Sequence, residues 1–307
     1  MRVVFFGTPA FAGASLRALL QAGHKVVGVV TQPDRPQRRS RSTLVPPPVK
    51  VLAEAERLPV LQPERPEGDV FLAALRRFAP DVGVVVAYGR ILRQEVLSLP
   101  RLGMVNVHAS LLPHLRGAAP VQWAIAGGDT ETGVSIMQME AGLDSGPVFT
   151  TVATPIGADE TGGALAERLA VLGADALVAT LADLARGGGM AQPQDHAAAT
   201  YAPKIGREVA RVDWTEPADV VARRIRAFDP VPGAWADLRG TDIKLFAAHP
   251  VEGSGAPGQV LSAPGGIVVA AGEGAVAIGE VQPAGKRRIA APEWVRGRSV
   301  AAGDIFT

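Results

Sequence analysis

Val3-Val-Phe-Phe-Gly-Thr-Pro9 decides the fold. Four apolar residues running into glycine, threonine and proline read as a short strand buried on both faces that turns into a helix. Thr8 is suited to cap that helix and Pro9 to sit in its first turn, where a missing N–H costs nothing. Leu16, Leu19 and Leu20 then recur at helical spacing, Gly23-His24 closes the helix, and residues 26–31 give a second strand. Residues 82–87 and Met104–His108 are further apolar runs. Strands that are apolar throughout, separated by helical segments, predict a parallel sheet covered on both faces. The expected architecture is therefore a doubly wound, Rossmann-like α/β domain. Its first turn is not a dinucleotide fingerprint, because Gly7-Thr-Pro-Ala-Phe lacks the spaced glycines that let backbone approach a pyrophosphate.

At 307 residues the chain is long for one average domain and suggests two. The texture supports this. A helical stretch over residues 163–184 ends in Ala185-Arg-Gly-Gly-Gly189, and three successive glycines are poor in any packed element. A linker is expected over 189–207. Beyond it, residues 209–214 read as a strand and 218–228 as a short helix. Short alternating runs follow at 234–238, 243–247, 258–261, 266–271 and 275–281, parted by glycine- and proline-rich turns. That pattern predicts a small β-barrel over 208–307.

Composition removes several function classes. Hydrophobic residues make up 47% and charged residues 20%, as in an ordinary globular protein with a real core. There is no cysteine, so disulfide, thiol-nucleophile and cysteine–zinc chemistry are excluded, and no metal-ligand cluster is evident. No apolar run approaches the length of a membrane span, and Met1 leads directly into the first strand without a secretory leader, so a cytoplasmic protein with no membrane partner is expected. The net charge of +1 confines any nucleic-acid binding to local patches.

The chemistry concentrates in two segments. In Asn106-Val-His108 the amide and the imidazole lie two residues apart on a strand and share a face. Asp144, in the glycine-flanked loop Gly142-Leu-Asp-Ser-Gly146, is placed to complete an Asn/His/Asp group. Such a group suits attack of an amine on an activated acyl carbon without a covalent enzyme intermediate. The bland readings are a core histidine satisfied by a backbone carbonyl and an ordinary turn aspartate. His24, His114, His196 and His249 lack such company and read as structural or surface residues. Arg35-Pro-Gln-Arg-Arg-Ser-Arg41 holds four arginines in seven residues before the stiff Pro46-Pro-Pro48. It is either a solvated charge run or a contact for phosphates. Lys286-Arg287-Arg288 is a second basic tip, in a region where residues 201–307 carry thirteen Lys and Arg against twelve Asp and Glu.

These residues match a known family. Phe6-Gly-Thr-Pro9, Thr31-Gln-Pro-Asp-Arg-Pro36, Val86-Ala-Tyr-Gly89, Asn106-Val-His-Ala-Ser-Leu-Leu-Pro113, Arg116-Gly-Ala-Ala-Pro120, Gly133-Val-Ser-Ile-Met-Gln-Met139 and Gly142-Leu-Asp-Ser-Gly146 are among the shared segments, with Ile225-Arg-Ala-Phe228 and Gln282-Pro-Ala-Gly-Lys286 in the second half. Over nearly its full length the chain resembles the methionyl-tRNA formyltransferases. The resemblance implies a formyltransferase catalytic domain over 1–188 and a C-terminal OB-like, tRNA-binding domain over 208–307. It implies formyl transfer from 10-formyltetrahydrofolate to the α-amine of methionine on initiator tRNA, catalysed by Asn106, His108 and Asp144. The folate is expected against Tyr88, Gly89, Arg90, Ile91, Leu92, Ser110, Leu111, Leu112, Pro113 and Gly142. The tRNA is expected against Arg35, Arg38, Arg39 and Arg41 in an inserted loop, and against Lys286, Arg287 and Arg288. No metal is expected, and a monomer is the default. A formyltransferase for a small amine, such as a purine precursor or an amino sugar, would explain the Asn/His/Asp group but leave the arginine run and second domain idle. A formyl-tetrahydrofolate hydrolase, with water in place of the amine, and an RNA-binding protein with an inactive folate fold are the other readings.

Overall fold

The computed structural model describes residues 1–37, 40–263, 266–297 and 300–307, with the side chains of 37 and 40–43 outside that description. Two compact units emerge: residues 1–120, 132–154 and 166–202 form one, and residues 121–131, 155–165 and 203–307 the other.

The first unit is built on a seven-stranded sheet in the order Val148–Pro155, Glu131–Gln138, Met104–His108, Val82–Val86, Arg2–Gly7, Lys25–Val30, Val60–Leu61. The opening run behaves as its composition dictates. Val3, Val4, Phe5 and Phe6 are at most 1% exposed, which marks burial on both faces of a central strand. At about 1.5–3 kcal/mol for each large apolar side chain removed from water, such strands set the core. The five strands from Met104–His108 to Val60–Leu61 are parallel.

Two local expectations change. Glu131–Gln138 pairs antiparallel with Met104–His108, so the sheet is mixed. A fully buried strand has the same apolar pattern in either direction, and periodicity therefore carries no sign. Thr8 does not cap the first helix. Pro9 is the N-cap residue of Ala10–Gln21 and makes no side-chain cap. The Thr8 hydroxyl instead donates to Tyr88 O at 3.0 Å.

The second unit contains an antiparallel sheet in the order Trp235–Leu238, Thr241–Val251, Ala275–Pro283, Ile267–Ala270, Val260–Ser262. The helix Ala218–Ala227 packs on the long strand Thr241–Val251. Residues 209–214 are not a strand, contributing only a bridge between Arg211 and Trp235. The sheet curls, and its two outer strands are joined through one segment. Leu238 bridges Phe306, and Gln259 bridges Ile305. Backbone bonds of 2.8 Å from Val260 N to Asp304 O and from Asp237 N to Thr307 O add to this link. This curled sheet is consistent with the OB-like barrel expected from the short alternating runs, and the C-terminal segment covers part of both outer edges. Among the described residues no helix is long and apolar enough to cross a membrane.

Candidate active site

In the first sheet the chain runs outward from Arg2–Gly7 on one side and returns to Val82–Val86 on the other. The strand order reverses there, and the C-terminal ends of such neighbouring strands form the crevice in which open α/β sheets hold ligands. Three non-glycine residues with positive φ gather on the loops that follow: Ala87 (+47°), Leu115 (+55°) and Asp144 (+47°). Each costs about 1–3 kcal/mol and persists only where its surroundings force it.

Asn106 and His108 occupy alternate positions on Met104–His108 and are 9% and 5% exposed. Among the described residues the Asn106 carboxamide makes no hydrogen bond. His108 is doubly engaged. Its Nε2 lies 2.9 Å from Leu115 O, and since a carbonyl only accepts, Nε2 carries the hydrogen. Its Nδ1 faces Asp144 Oδ2 at 3.7 Å. The sequence left a carbonyl-satisfied core histidine and an Asn/His/Asp group as alternatives; the ring meets both descriptions at once.

Three consecutive residues mount the group. Leu115 O receives the imidazole hydrogen of His108. Arg116, 4% exposed, donates through Nε and Nη2 to Gln194 Oε1 at 3.1 and 2.7 Å. Gly117 N donates to Asp144 Oδ2 at 2.8 Å. The short strand Arg116–Gly117 is itself fixed by parallel pairing with Tyr201–Ala202. The Asp144 loop seats closely as well, for a Cβ on Gly146 would fall 2.0 Å from Gln138 O. Only glycine permits that approach.

Gln194 was not evident from sequence, where it falls in the stretch expected as linker. Its signal is one of distance: it is a polar residue, 8% exposed, bonded to the Asp144 loop across about fifty positions of chain. Gln32 is a second such residue. Its Nε2 donates to Tyr88 O at 2.8 Å and its Oε1 accepts from Arg35 Nη2 at 2.8 Å. Below it, Asp34 accepts from Lys50 at 2.7 Å and Gln62 at 2.7 Å. These bonds join the base of the arginine run to the turn after Val82–Val86.

The segments expected to line a ligand divide by burial. Tyr88 is 1% exposed, its ring edge-on to Phe6 at 5.4 Å, and burial pushes its hydroxyl up to about 12. Leu92 and Leu112 are also buried, and Ser110 donates to His114 O at 2.6 Å. These residues are withdrawn from solvent, and Tyr88 O already accepts from Thr8 and Gln32. Leu111 is partly exposed and packs against Gly133, whose Cβ would lie 2.6 Å from its Cδ2. Pro113 is partly exposed too, and Gly89, Arg90, Ile91 and Gly142 lie at the surface. Ile91 at 87% and Leu143 at 63% exposure put apolar surface on two of the expected ligand segments.

Of the basic residues, Arg38 and Arg39 lie outside the described residues, as does the side chain of Arg41. Arg35 is held by Gln32. Lys286 is exposed and, among the described residues, makes no ion pair; Arg287 is 3.4 Å from Glu293. Arg288 is different. It forms a two-pronged bond to Asp229 at 2.7 and 3.0 Å, pairs with Glu280, and stacks 3.9 Å over Phe246.

Residues 1–181 match the formyl transferase family and residues 204–299 its C-terminal domain. The methionyl-tRNA formyltransferase of Aromatoleum aromaticum is 52% identical over 307 residues, spanning 100% of this chain and 97% of that one. Two solved structures share the fold. HypX from Aquifex aeolicus in complex with tetrahydrofolic acid has a TM-score of 0.69 at 21% identity, over 96% of this chain and 47% of that one. An N-formyltransferase from Helicobacter canadensis in complex with folinic acid and dTDP-3-aminofucose has a TM-score of 0.64 at 14% identity, over 94% of this chain and 100% of that one.

Proposed function

Since the chain belongs to the formyl transferase family, we propose that it transfers the formyl group of 10-formyltetrahydrofolate to the α-amine of methionyl initiator tRNA. Identity of 52% along the whole chain to a methionyl-tRNA formyltransferase supports this acceptor over a small amine, and supports a folate-derived donor. The observation that carries the reading is a buried carboxamide at Asn106, without a hydrogen-bond partner among the described residues, two positions before an imidazole that faces Asp144 at 3.7 Å.

The chemistry follows from these groups. An α-amine titrates near about 8, so a useful neutral fraction exists without a strong base. Attack on the formyl carbon builds charge on its oxygen, and a preorganised amide donor is worth about 3–4 kcal/mol there. Asn106 supplies that N–H. The Nε2 hydrogen of His108 is committed to Leu115 O, so Nδ1 is the nitrogen that takes the proton of the attacking amine. Asp144 stabilises the cation so formed, and as the tetrahedral centre collapses and its C–N10 bond breaks, the proton passes from Nδ1 to N10 of the departing tetrahydrofolate.

The folate is held by backbone of the turn at Tyr88, Gly89, Arg90, Ile91 and Leu92, by the Ser110-Leu111-Leu112-Pro113 lip and by Gly142. Two features favour this fit. The turn offers backbone polar groups to a pterin, and Ile91 and Leu143 offer apolar surface. The donor, when bound, supplies an activated one-carbon unit; orientation and proton handling fall to the protein. The arginine run, Arg35 to Arg41, meets the acceptor end of the tRNA, and Lys286 and Arg287 meet its backbone, as contacts that position rather than read bases. The same proposal assigns catalysis to 1–188 and RNA positioning to 208–307, with 189–207 joining them and contributing Gln194. We place the reaction in the cytoplasm, carried out by a monomer.

The test is formylation of methionyl initiator tRNA by purified protein with 10-formyltetrahydrofolate. Formyl-methionyl-tRNA is the expected product. Release of formate and tetrahydrofolate alone overturns the acceptor assignment in favour of hydrolysis.

A further inference from the structure

We propose that Gln194 is a positioning residue that holds the Asp144 loop in its reactive shape, an inference that rests on the formyl-transfer reading above. One carboxamide makes four hydrogen bonds. Its Nε2 donates to Asp144 O at 2.9 Å and to Gly146 O at 2.6 Å, and its Oε1 accepts from Arg116 Nε and Nη2 at 3.1 and 2.7 Å. The orientation of the amide follows from its partners. A guanidinium has only donors and the two carbonyls only accept, so one of the two flips satisfies all four bonds.

The need for such a clamp is visible in the loop. Asp144 has φ of +47°, a conformation that a side chain with a Cβ adopts at a cost. Released, the backbone would relax and turn the carboxylate away from His108. Gly117 N holds the carboxylate itself, but at a single oxygen. Gln194 fixes the backbone on both sides of Ser145 and so fixes the direction in which the Asp144 side chain leaves the chain.

Arg116 has a matching oddity. It is 4% exposed, yet its side-chain partners among the described residues are Gln194 and His196, the latter accepting at Nδ1 from Nη2 at 3.1 Å. A buried charge with no acid partner among the described residues is costly and calls for a reason. Here it polarises and locks the amide that grips the loop. The backbone of Arg116 is tied down in turn, its N–H donating to Thr200 O at 2.9 Å. The line of support runs from the Arg116–Gly117 strand through Gln194 to Asp144, and Gln194 reaches no reacting group itself.

The experiment is a double-mutant cycle read by single-turnover formylation, with Gln194→Met, Asp144→Asn and the pair together. Gln194→Met is expected to lower kcat by about tenfold to a hundredfold, as a misplacement of about an ångström does, with both KM values within about twofold. In the Asp144→Asn background the same change is expected to alter kcat by less than about twofold, because a residue that acts through the carboxylate has nothing left to act on. Losses that multiply in the two backgrounds, or a Gln194→Met enzyme with wild-type kcat, would overturn the proposal. Gln194→Glu keeps the bonds from Arg116 and loses both donations to the loop. It is expected to match Gln194→Met, and it decides the matter if the methionine variant does not fold. Failure of the underlying reading shows separately, as a wild-type protein without formylation or an Asp144→Asn enzyme at full rate.

Discussion

Asp144 Oδ2 stands 3.7 Å from His108 Nδ1 while accepting the Gly117 N–H at 2.8 Å, so one oxygen faces both a fixed backbone donor and the imidazole ring. Asp144→Asn keeps an oxygen for Gly117 and removes only the charge. Formylation is expected to fall by about 10³-fold or more with the thermal unfolding midpoint nearly unchanged, a comparison made by single-turnover rates and calorimetry on the same preparations.

Asn106→Ala removes a buried donor that makes no bond among the described residues. Nothing in the folded state is broken, so stability is expected to hold. The loss should appear in kcat, by about 10²–10³-fold, because the donor acts where charge develops. A rise in KM with kcat intact would place Asn106 in substrate binding instead.

The basic residues separate into two kinds. Replacing Arg38, Arg39 and Arg41 together with Ala is expected to raise KM for the tRNA and leave that for the folate unchanged. It should also flatten the dependence of log Kd on log salt by about 2–3, roughly one unit for each phosphate no longer neutralised.

Within Lys286-Arg287-Arg288, stability and binding should part. Arg288→Ala leaves Asp229, whose side chain is 7% exposed, without its partner. The expected cost is about 2–3 kcal/mol in urea unfolding, below the about 3–5 kcal/mol of a fully buried pair because Arg288 keeps access to water. Lys286→Ala is expected to leave stability unchanged and weaken tRNA binding.

Asp34 gives a pH signature. The Gln62 amide first, and then Lys50, hold its carboxyl below the ordinary carboxylate range. A group depressed in the native state contributes stability that is complete above its unfolded value near about 4 and is lost as pH falls through the lower native value. Unfolding free energies at about pH 6 and about pH 3 should therefore differ more for the wild type than for Asp34→Asn.

What the sequence disclosed follows from what local pattern encodes. Residues 2–7, 82–86 and 104–108 were legible because an uninterrupted apolar run has few other places to go, and Asn106 with His108 because a strand fixes the face of alternate residues. Glu131–Gln138 was not read as a strand, because Thr132, Gly133 and Ser135 break up its apolar residues, and its antiparallel sense is likewise absent from periodicity. Thr8 was assigned a cap because its neighbours permit one, but a more distant carbonyl at Tyr88 competes for the hydroxyl. Residues 209–214 have strand composition and only one bridge partner. Gln194 and Gln32 were invisible for a shared reason: their partners lie tens of residues away, and glutamine in a loop carries no local mark.

The parallel pairing of Tyr201–Ala202 with Arg116–Gly117 has a consequence for biosynthesis. Domains fold from the N-terminus as they are made. The central strands of the first sheet can assemble on the ribosome early, but the Asp144 loop gains its anchor only when the segment carrying Gln194 and Ala202 has emerged. On the proposed role of Gln194, a nascent chain halted before that point is expected to possess Asn106, His108 and Asp144 and to lack activity.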